Sequence, residues 1–251
     1  MSDLHRDRVF WVTGAASGIG QATAEELVAV GGRVIASDLP DADFSWATDS
    51  PSIVIASCDV RNESDNEDAV ATAIEHFGRL DGAVLNAGFA PPTALMESSL
   101  DTYNQVMEIN VIGVLQGIRA AAPRMEPGSA MTVTASISGL RADPGLLAYN
   151  ASKAAALNLV RSASMELAVR GIRINTVCPG PIETAMTSHI PGEVKEAVRQ
   201  NIPLKRWGSA REVAEVHSWL LSEKASFVTG AHLPVDGGVS ANNGQFQPPG
   251  D

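Results

Sequence analysis

The sequence predicts an α/β protein, a doubly wound parallel sheet of about seven strands with helices on both faces. Three observations carry that expectation. Short apolar runs recur along the chain without alternating, the pattern of strands covered on both faces. Longer amphipathic segments stand between them. A glycine-rich turn joins the first run to the first of these segments. With 251 residues, 45% of them apolar, the chain can bury a substantial core. A single domain over residues 1–251 is expected, with its core at about 8–238.

The elements follow in order. Arg8–Thr13 is the first apolar run, and Gly18–Val30 is a helix that Gly31 can stop. Arg33–Ser37 and Ile53–Ser57 read as the next strands. Asp65–Phe77 is a helix, with Ser64 three residues before Glu67 as a capping box and Gly78 at its end. Ala83–Asn86 is a fourth strand, Leu100–Ala121 a long helix and Ala130–Ala135 a fifth strand. The helix Ser152–Arg170 ends at Gly171, before the strand Arg173–Cys178. Ser209 and Glu212 cap the helix Ala210–Leu221, and His232–Val235 closes the series. The tail at 239–251 is polar and rich in Pro and Gly; it lies outside the core or docks on a neighbouring subunit.

Composition removes several classes of function. The net charge of −11 disfavours nucleic acid and anionic membrane surfaces, which need clustered Lys and Arg. Cys58 and Cys178 form no C-x-x-C pair and read as apolar filler at strand ends. The five histidines lack H-x-x-x-H spacing, so no metal centre is expected. No stretch reaches the ~20 apolar residues of a membrane span. The N-terminus has no apolar leader core, and a cytoplasmic protein is expected.

The chemistry begins at Thr13-Gly14-Ala15-Ala16-Ser17-Gly18-Ile19-Gly20, between the first strand and first helix. Gly14, Gly18 and Gly20 let backbone approach a pyrophosphate, and the helix start offers free N–H groups to the anion. Asp38, flanked by Ser37 and Leu39, ends the second strand. A carboxylate there accepts bonds from ribose hydroxyls and repels a 2′-phosphate, and no Lys or Arg stands ready nearby. NAD is therefore expected over NADP. Tyr149 and Lys153 stand four residues apart, on one face of a helix, where an ammonium would lower the phenol's pKa from ~10.

Thr13–Gly20, Asn86-Ala87-Gly88, Asn110, Ser136, Tyr149 and Lys153 together resemble the short-chain dehydrogenase/reductase family, in its compact single-domain branch. Pro179-Gly180-Pro181-Ile182 with Thr184, and Val235-Asp236-Gly237-Gly238, agree with it, so the resemblance runs from about Arg8 to Gly238. It implies a Rossmann-type fold and an NAD-dependent oxidoreductase that interconverts a secondary alcohol and a ketone. Tyr149 would be the acid/base, and Lys153 would hold the nicotinamide ribose and tune Tyr149. Ser136 would bond the substrate oxygen, and Asn110 would bend its helix and hold a relay water. The pyrophosphate would meet Gly14, Ser17, Ile19 and Gly20. The adenosine ribose would fall to Asp38, and the adenine amino group to Asp59. Asn86 and Gly88 would flank the cofactor, and Ile182 and Thr184 would meet the carboxamide. Gly18, Leu39, Val60, Ala87, Pro179 and Gly180 complete that contact surface. Where the family often has Ser or Thr before the catalytic serine, this chain has Ala135.

The resemblance also puts a substrate loop at 183–206, with Met186, Ile190, Pro191, Ile202 and Leu204. Phe89, Ser138, Leu140 and Leu146 would be wall residues. The lining is mostly apolar, which favours a small neutral alcohol or ketone. Glu193, Lys195, Glu196 and Arg199 read as a solvated helix face, and Pro191-Gly192 as a hinge for a lid. A homotetramer is implied, paired through Leu100–Ala121 and Ser152–Arg170. Three rivals stand beside this reading. An acyl-thioester ketoreductase usually prefers NADP, against Asp38. A sugar-nucleotide epimerase has a T-G-x-x-G-x-x-G turn and a larger C-terminal domain. A catalytically silent regulator tends to lose one of Asn110, Ser136, Tyr149 and Lys153, all present here.

Overall fold

The computed structural model describes residues 3–48 and 50–241. Strand β1 (Val9–Thr13) is fully buried and leads into helix α1 (Gly18–Ala29). Then follow β2 (Arg33–Asp38), β3 (Ile53–Ser57), α2 (Glu63–Phe77) and β4 (Leu80–Leu85). Helices α3 (Leu100–Met107) and α4 (Gly113–Ala121) precede β5 (Met125–Thr134), α5 (Leu147–Ala168) and β6 (Arg173–Pro179). The last elements are β7 (Ile182–Glu183), α6 (Gly192–Asn201), β8 (Gly208–Ser209), α7 (Ala210–Leu221) and β9 (His232–Val235).

The main sheet has seven strands in the order β3-β2-β1-β4-β5-β6-β9, every neighbour pair parallel. The chain winds outward from β1 to β3, then crosses back to lay β4 on the other side of β1. A crevice opens at that switch, beyond the carboxyl ends of the strands. One face packs α2, α4 and α5 through Ala69, Val70, Ile118, Ala121, Val160 and Leu167 onto Trp11, Ile35, Met131 and Ile174. The other packs Ala24 and Leu27 of α1 and Leu221 of α7 onto Phe10, Val12, Val34 and Ala36. Because both faces are covered, each strand needed a continuous apolar run.

Several sequence expectations shift. β4 begins at Leu80 because the Asp81 carboxylate, held by Arg79, accepts from the Val9 amide at 2.9 Å. β5 begins at Met125, with a register shift against β4 between Leu80 and Gly82. Ser64 does not cap α2: Asn62 is the capping residue and Ser64 lies in the first turn. Ser209 and Glu212 do form the reciprocal box on α7. α5 starts five residues before Ser152 and so takes Tyr149 and Lys153 into one helix. The long helix expected over Leu100–Ala121 is divided at Glu108–Ile112 by a π-helical turn holding Asn110. Charged residues of 192–201 do form a helix, α6, with no buried residue. Folding also reaches beyond 8–238: His5 is buried, its Nε2 at 3.0 Å from the Ser218 carbonyl. Val239 packs against Ala135, Ile137, Leu157 and Cys178. The expectation for the rest of the tail falls at 242–251, outside the described residues.

A buried histidine ties the two ends of this architecture together. The Thr134 hydroxyl donates to Asn86 Oδ1 at 2.9 Å, so it can only accept from His217 Nε2 at 3.2 Å. His217 Nδ1 then accepts from the Thr132 hydroxyl at 2.8 Å, and the ring is neutral. Burial pulls His217 down to about 3, and burial with the Arg8 charge pulls His5 to about 4. An unfolded chain binds protons at both rings from about pH 6.5 downward, while the folded protein does not. The stability they support is therefore present above about 6.5 and is lost as pH falls toward 4 and 3. Denaturant melts at pH 7 and pH 5 should differ by on the order of 1 kcal/mol per histidine per pH unit. A flat profile over that interval contradicts the assignment.

Candidate active site

The crevice at the switch between β1 and β4 encloses about 920 Å³. One end of it is made by the turn after β1. Gly14 (φ +64°) and Gly18 (φ +57°) take left-handed backbone that side chains avoid. Gly14, Ser17, Gly18 and Ile19 line the crevice. Ser17 precedes α1 and makes no capping bond to it, which leaves its hydroxyl to a ligand at the helix start. Gly20 does not line the crevice, contrary to expectation. It is buried, and a Cβ there would stand 2.0 Å from the Gly14 carbonyl oxygen, so its part is to let helix and turn touch.

Two residues hold that turn from behind. Asn86 Nδ2 donates to the carbonyls of Thr13 and Gly14 at 3.1 and 3.2 Å. The Thr13 hydroxyl accepts from the amides of Asn86 and Ala87 at 2.9 and 3.0 Å. Asn86, Ala87 and Gly88 all reach the crevice, but the Asn86 side chain is spent on the turn. At the far end, Asp38 accepts from the Ala16 amide at 3.0 Å and the Leu39 amide at 2.9 Å. Its remaining lone pairs face the crevice beside Leu39 and Val60. Asp59 is clasped by Arg61, from Nη2 to Oδ2 at 2.5 Å and from Nε to Oδ1 at 2.9 Å. That bond holds the Asp59 carboxyl below its ordinary range. Arg61 itself lines the crevice, a basic group near Asp38 that the sequence reading did not count.

The reactive end gathers residues from four elements. Ser136 follows β5, its Oγ accepting the Ser138 amide at 3.1 Å and donating to the Ser138 hydroxyl at 3.0 Å. Tyr149 and Lys153 come from the first turns of α5, with Nζ 5.5 Å from the centre of the phenol ring. Nζ donates to the Thr134 carbonyl at 2.8 Å, and burial pulls the ammonium down to about 8. Burial pushes the phenol above its usual pKa, the Ser136 hydroxyl pulls it back, and the charges of Asp143 and Cys178 push it up again. Burial outweighs the help expected from the neighbouring ammonium. Asn110 is buried behind the wall. Its Oδ1 accepts the Phe89 amide at 2.8 Å, and its Nδ2 donates to the Phe89 carbonyl and the Ser152 hydroxyl, each at 2.9 Å. Ser152 passes this on to the Tyr149 carbonyl at 2.8 Å. The Asn110 side chain leaves one lone pair on Oδ1, and its main-chain carbonyl is a second acceptor a water can use.

Pro179, Gly180, Ile182 and Thr184 border the crevice after β6. A Cβ on Gly18 would lie 3.5 Å from the Thr184 side chain, so this segment closes onto the phosphate turn. Phe89, Ser138, Leu146 and Met186, the expected wall residues, line the crevice together with Ile190 and Ile202. Leu140, Pro191 and Leu204 do not. The lining is also more polar than expected: Gln105, Asp143, His189 and Asn201 all reach it, as does Trp207. Asp143 was legible in part, because the chain between Ser136 and Tyr149 has to cross the mouth. His189, Asn201 and Trp207 sit in a segment whose path no local pattern fixes.

The glycine turn and the left-handed backbone at Gly14 and Gly18 fit a dinucleotide, and the crevice runs from Asp38 to Tyr149. Comparison with known proteins agrees. A family model described as Enoyl-(Acyl carrier protein) reductase matches residues 14–240. The 2-(R)-hydroxypropyl-CoM dehydrogenase of Xanthobacter autotrophicus is 37% identical over 247 residues, covering 93% of this chain and 99% of that protein. The meso-2,3-butanediol dehydrogenase of Serratia marcescens is 34% identical, covering 95% and 97%. A solved structure from Brucella melitensis, described as a short-chain dehydrogenase/reductase and glucose/ribitol dehydrogenase, superposes with a TM-score of 0.90 at 35% identity, covering 95% of this chain and 99% of that one. The chain belongs to the short-chain dehydrogenase/reductase family. It is an oxidoreductase of the kind that works with a nicotinamide cofactor. Among the described residues, no helix is long and apolar enough to cross a membrane.

Proposed function

We propose that this protein interconverts a small neutral secondary alcohol and its ketone with NAD(H), using Tyr149 as acid/base and one unit of the chain for both cofactor and substrate. One observation carries the reading: Ser136, Tyr149 and Lys153 converge at one end of the same crevice whose other end is the glycine turn and Asp38. The relatives' names fit it, since both denote dehydrogenases of alcohols.

A nicotinamide cofactor held between the glycine turn and Tyr149 would supply the hydride chemistry, as acceptor in oxidation and donor in reduction. Ser136 holds the substrate oxygen, and Tyr149 takes the hydroxyl proton as the carbonyl forms. The raised phenol keeps Tyr149 protonated at neutral pH, the form that ketone reduction starts from. Lys153, close by and charged at neutral pH, stabilises the phenolate that donation leaves behind. Asn110 positions rather than reacts: through Ser152 and Phe89 it locks the start of α5 against the loop after β4.

NAD is favoured because the Asp38 carboxylate, at the end of β2 on the crevice, would accept from ribose hydroxyls and repel a 2′-phosphate, while Arg61 is engaged by Asp59. In Asp38→Asn the amide oxygen still accepts from the turn, but the charge against a 2′-phosphate is gone. The ratio of kcat/KM for NADH over NADPH should fall about tenfold or more. A panel of secondary alcohols and ketones read by NADH absorbance, with NADPH in parallel, tests the whole proposal. Native preference for NADPH would overturn the reading of Asp38 and revive the acyl-thioester ketoreductase, an acyl-carrier substrate being what the family model's description names.

A homotetramer in the cytoplasm completes the proposal. Its support is the apolar surface on the two helices named for pairing: Leu100 and Leu115 on one, Met165 and Val169 on the other, with Val169 89% exposed. Sedimentation at micromolar concentration reads the assembly directly.

A further inference from the structure

We propose that Asp143 and Ser138 form a hydroxyl-reading subsite beside the reacting carbon, which selects a substrate bearing a second hydroxyl next to its carbinol or carbonyl: a vicinal diol or an α-hydroxyketone. This rests on the alcohol–ketone reading above and narrows its substrate class.

Three oxygens form a line along the crevice wall. Ser136 Oγ donates to Ser138 Oγ at 3.0 Å, and Ser138 Oγ donates to Asp143 Oδ2 at 2.5 Å. All three residues line the crevice. The Asp143 backbone is pinned to the start of α5, its carbonyl accepting from Asn150 Nδ2 at 2.8 Å and the Leu146 amide at 3.4 Å. The Ser138 bond orients the carboxylate, whose residue is otherwise exposed to solvent. Among the described residues no basic side chain forms an ion pair with it. Its charge is felt at the reacting end, since it acts on the Tyr149 phenol.

A carboxylate only accepts hydrogen bonds, and Ser138 uses one of about four sites. A substrate whose oxygen sits on Ser136 projects its neighbouring substituent along this line, one hydrogen bond further. If that substituent is a methyl group, it covers part of the exposed carboxylate and makes no bond with it. If it is a hydroxyl, it donates to the carboxylate and the loss is made good. Sites built this way discriminate against the analogue that lacks the group. A substrate carboxylate meets like charge. An ammonium meets Lys153 and the positive ring of the oxidised cofactor, so the neutral hydroxyl is the donor that fits.

The test uses three compounds of one skeleton with NAD: cyclohexanol, cyclohexane-1,2-diol and 2-aminocyclohexanol. It compares the native protein with Asp143→Asn and Asp143→Leu, and the readout is the ratio of kcat/KM for diol over cyclohexanol. The native ratio should be about tenfold or more, carried by KM. It should shrink in Asp143→Asn, which still accepts, and approach one in Asp143→Leu. A purely structural part for Asp143 would lower both rates together and leave the ratio alone, which overturns the proposal. Equal use of diol and cyclohexanol by the native protein overturns it too, with the alcohol–ketone reading intact. Preference for the amino alcohol overturns it in favour of a cation site. Turnover of none of the three, or of the matching ketones with NADH, counts against both readings.

Discussion

Tyr149→Phe is expected to lower turnover by about a thousandfold or more in both directions while NADH binds within about threefold of native affinity. The argument is geometric. The phenol oxygen is the group at the reacting end that can both release and accept a proton while Ser136 keeps the substrate oxygen in place. Lys153 cannot replace it, because a charged ammonium has no lone pair with which to take the substrate's proton. Ser136 and Ser138 already share their protons along the line to Asp143. Removing one oxygen from a ring packed at the head of α5 leaves the fold and the glycine turn untouched. Steady-state rates paired with a fluorescence titration of NADH separate the two effects. A variant within tenfold of the native rate would sink the assignment of Tyr149.

Gly20→Ala should have the second largest effect, and for the opposite reason: it spares the reacting end and breaks the nucleotide end. A methyl group there would meet the Gly14 oxygen at 2.0 Å and the Gly14 carbonyl carbon at 2.7 Å. Both are backbone atoms, so the turn itself must move. Overpacking of this kind costs roughly 3 kcal/mol, which for a chain of this size is a fall in Tm of about 10 °C. NADH affinity should drop with it, as the amides at the start of α1 lose their aim. Gly78→Ala is the control. Gly78 is also left-handed (φ +76°) but a methyl group there meets nothing within 4 Å. It should lose only about 1 kcal/mol of backbone strain and bind NADH normally. Equal damage from the two substitutions would show that space at Gly20 is not what matters.

Much of the architecture was legible because parallel strands announce themselves as unbroken apolar runs, and glycine marks where α1, α2 and α5 join their neighbours. Residues one turn or one strand end from such punctuation were readable for the same reason: Asp38 at the end of β2, Tyr149 and Lys153 on one helical face, Ser136 just past β5. What escaped reading depends on contacts distant in sequence. The π-helical turn at Asn110 is held by Phe89 and Ser152, 21 and 42 residues away. The fate of Gly20 depends on Gly14 and Asn86, and the engagement of Arg61 by Asp59 on side-chain placement alone. Spacing reports the proximity of Tyr149 to Lys153 but not the burial that raises the phenol. Ser64 looked like a cap because the box spacing was right, yet the chain turns helical one residue earlier, at Glu63.

Thr134 carries a consequence for how such a protein can change. Its hydroxyl steadies Asn86, which grips the nucleotide turn, while its carbonyl anchors Lys153. One strand end thus serves both partners of the reaction, and an adjustment made for one is felt by the other. Change is then cheapest further out, around Asp143 and Met186 at the rim of the crevice, where new preferences can be tried without loosening the contacts beneath.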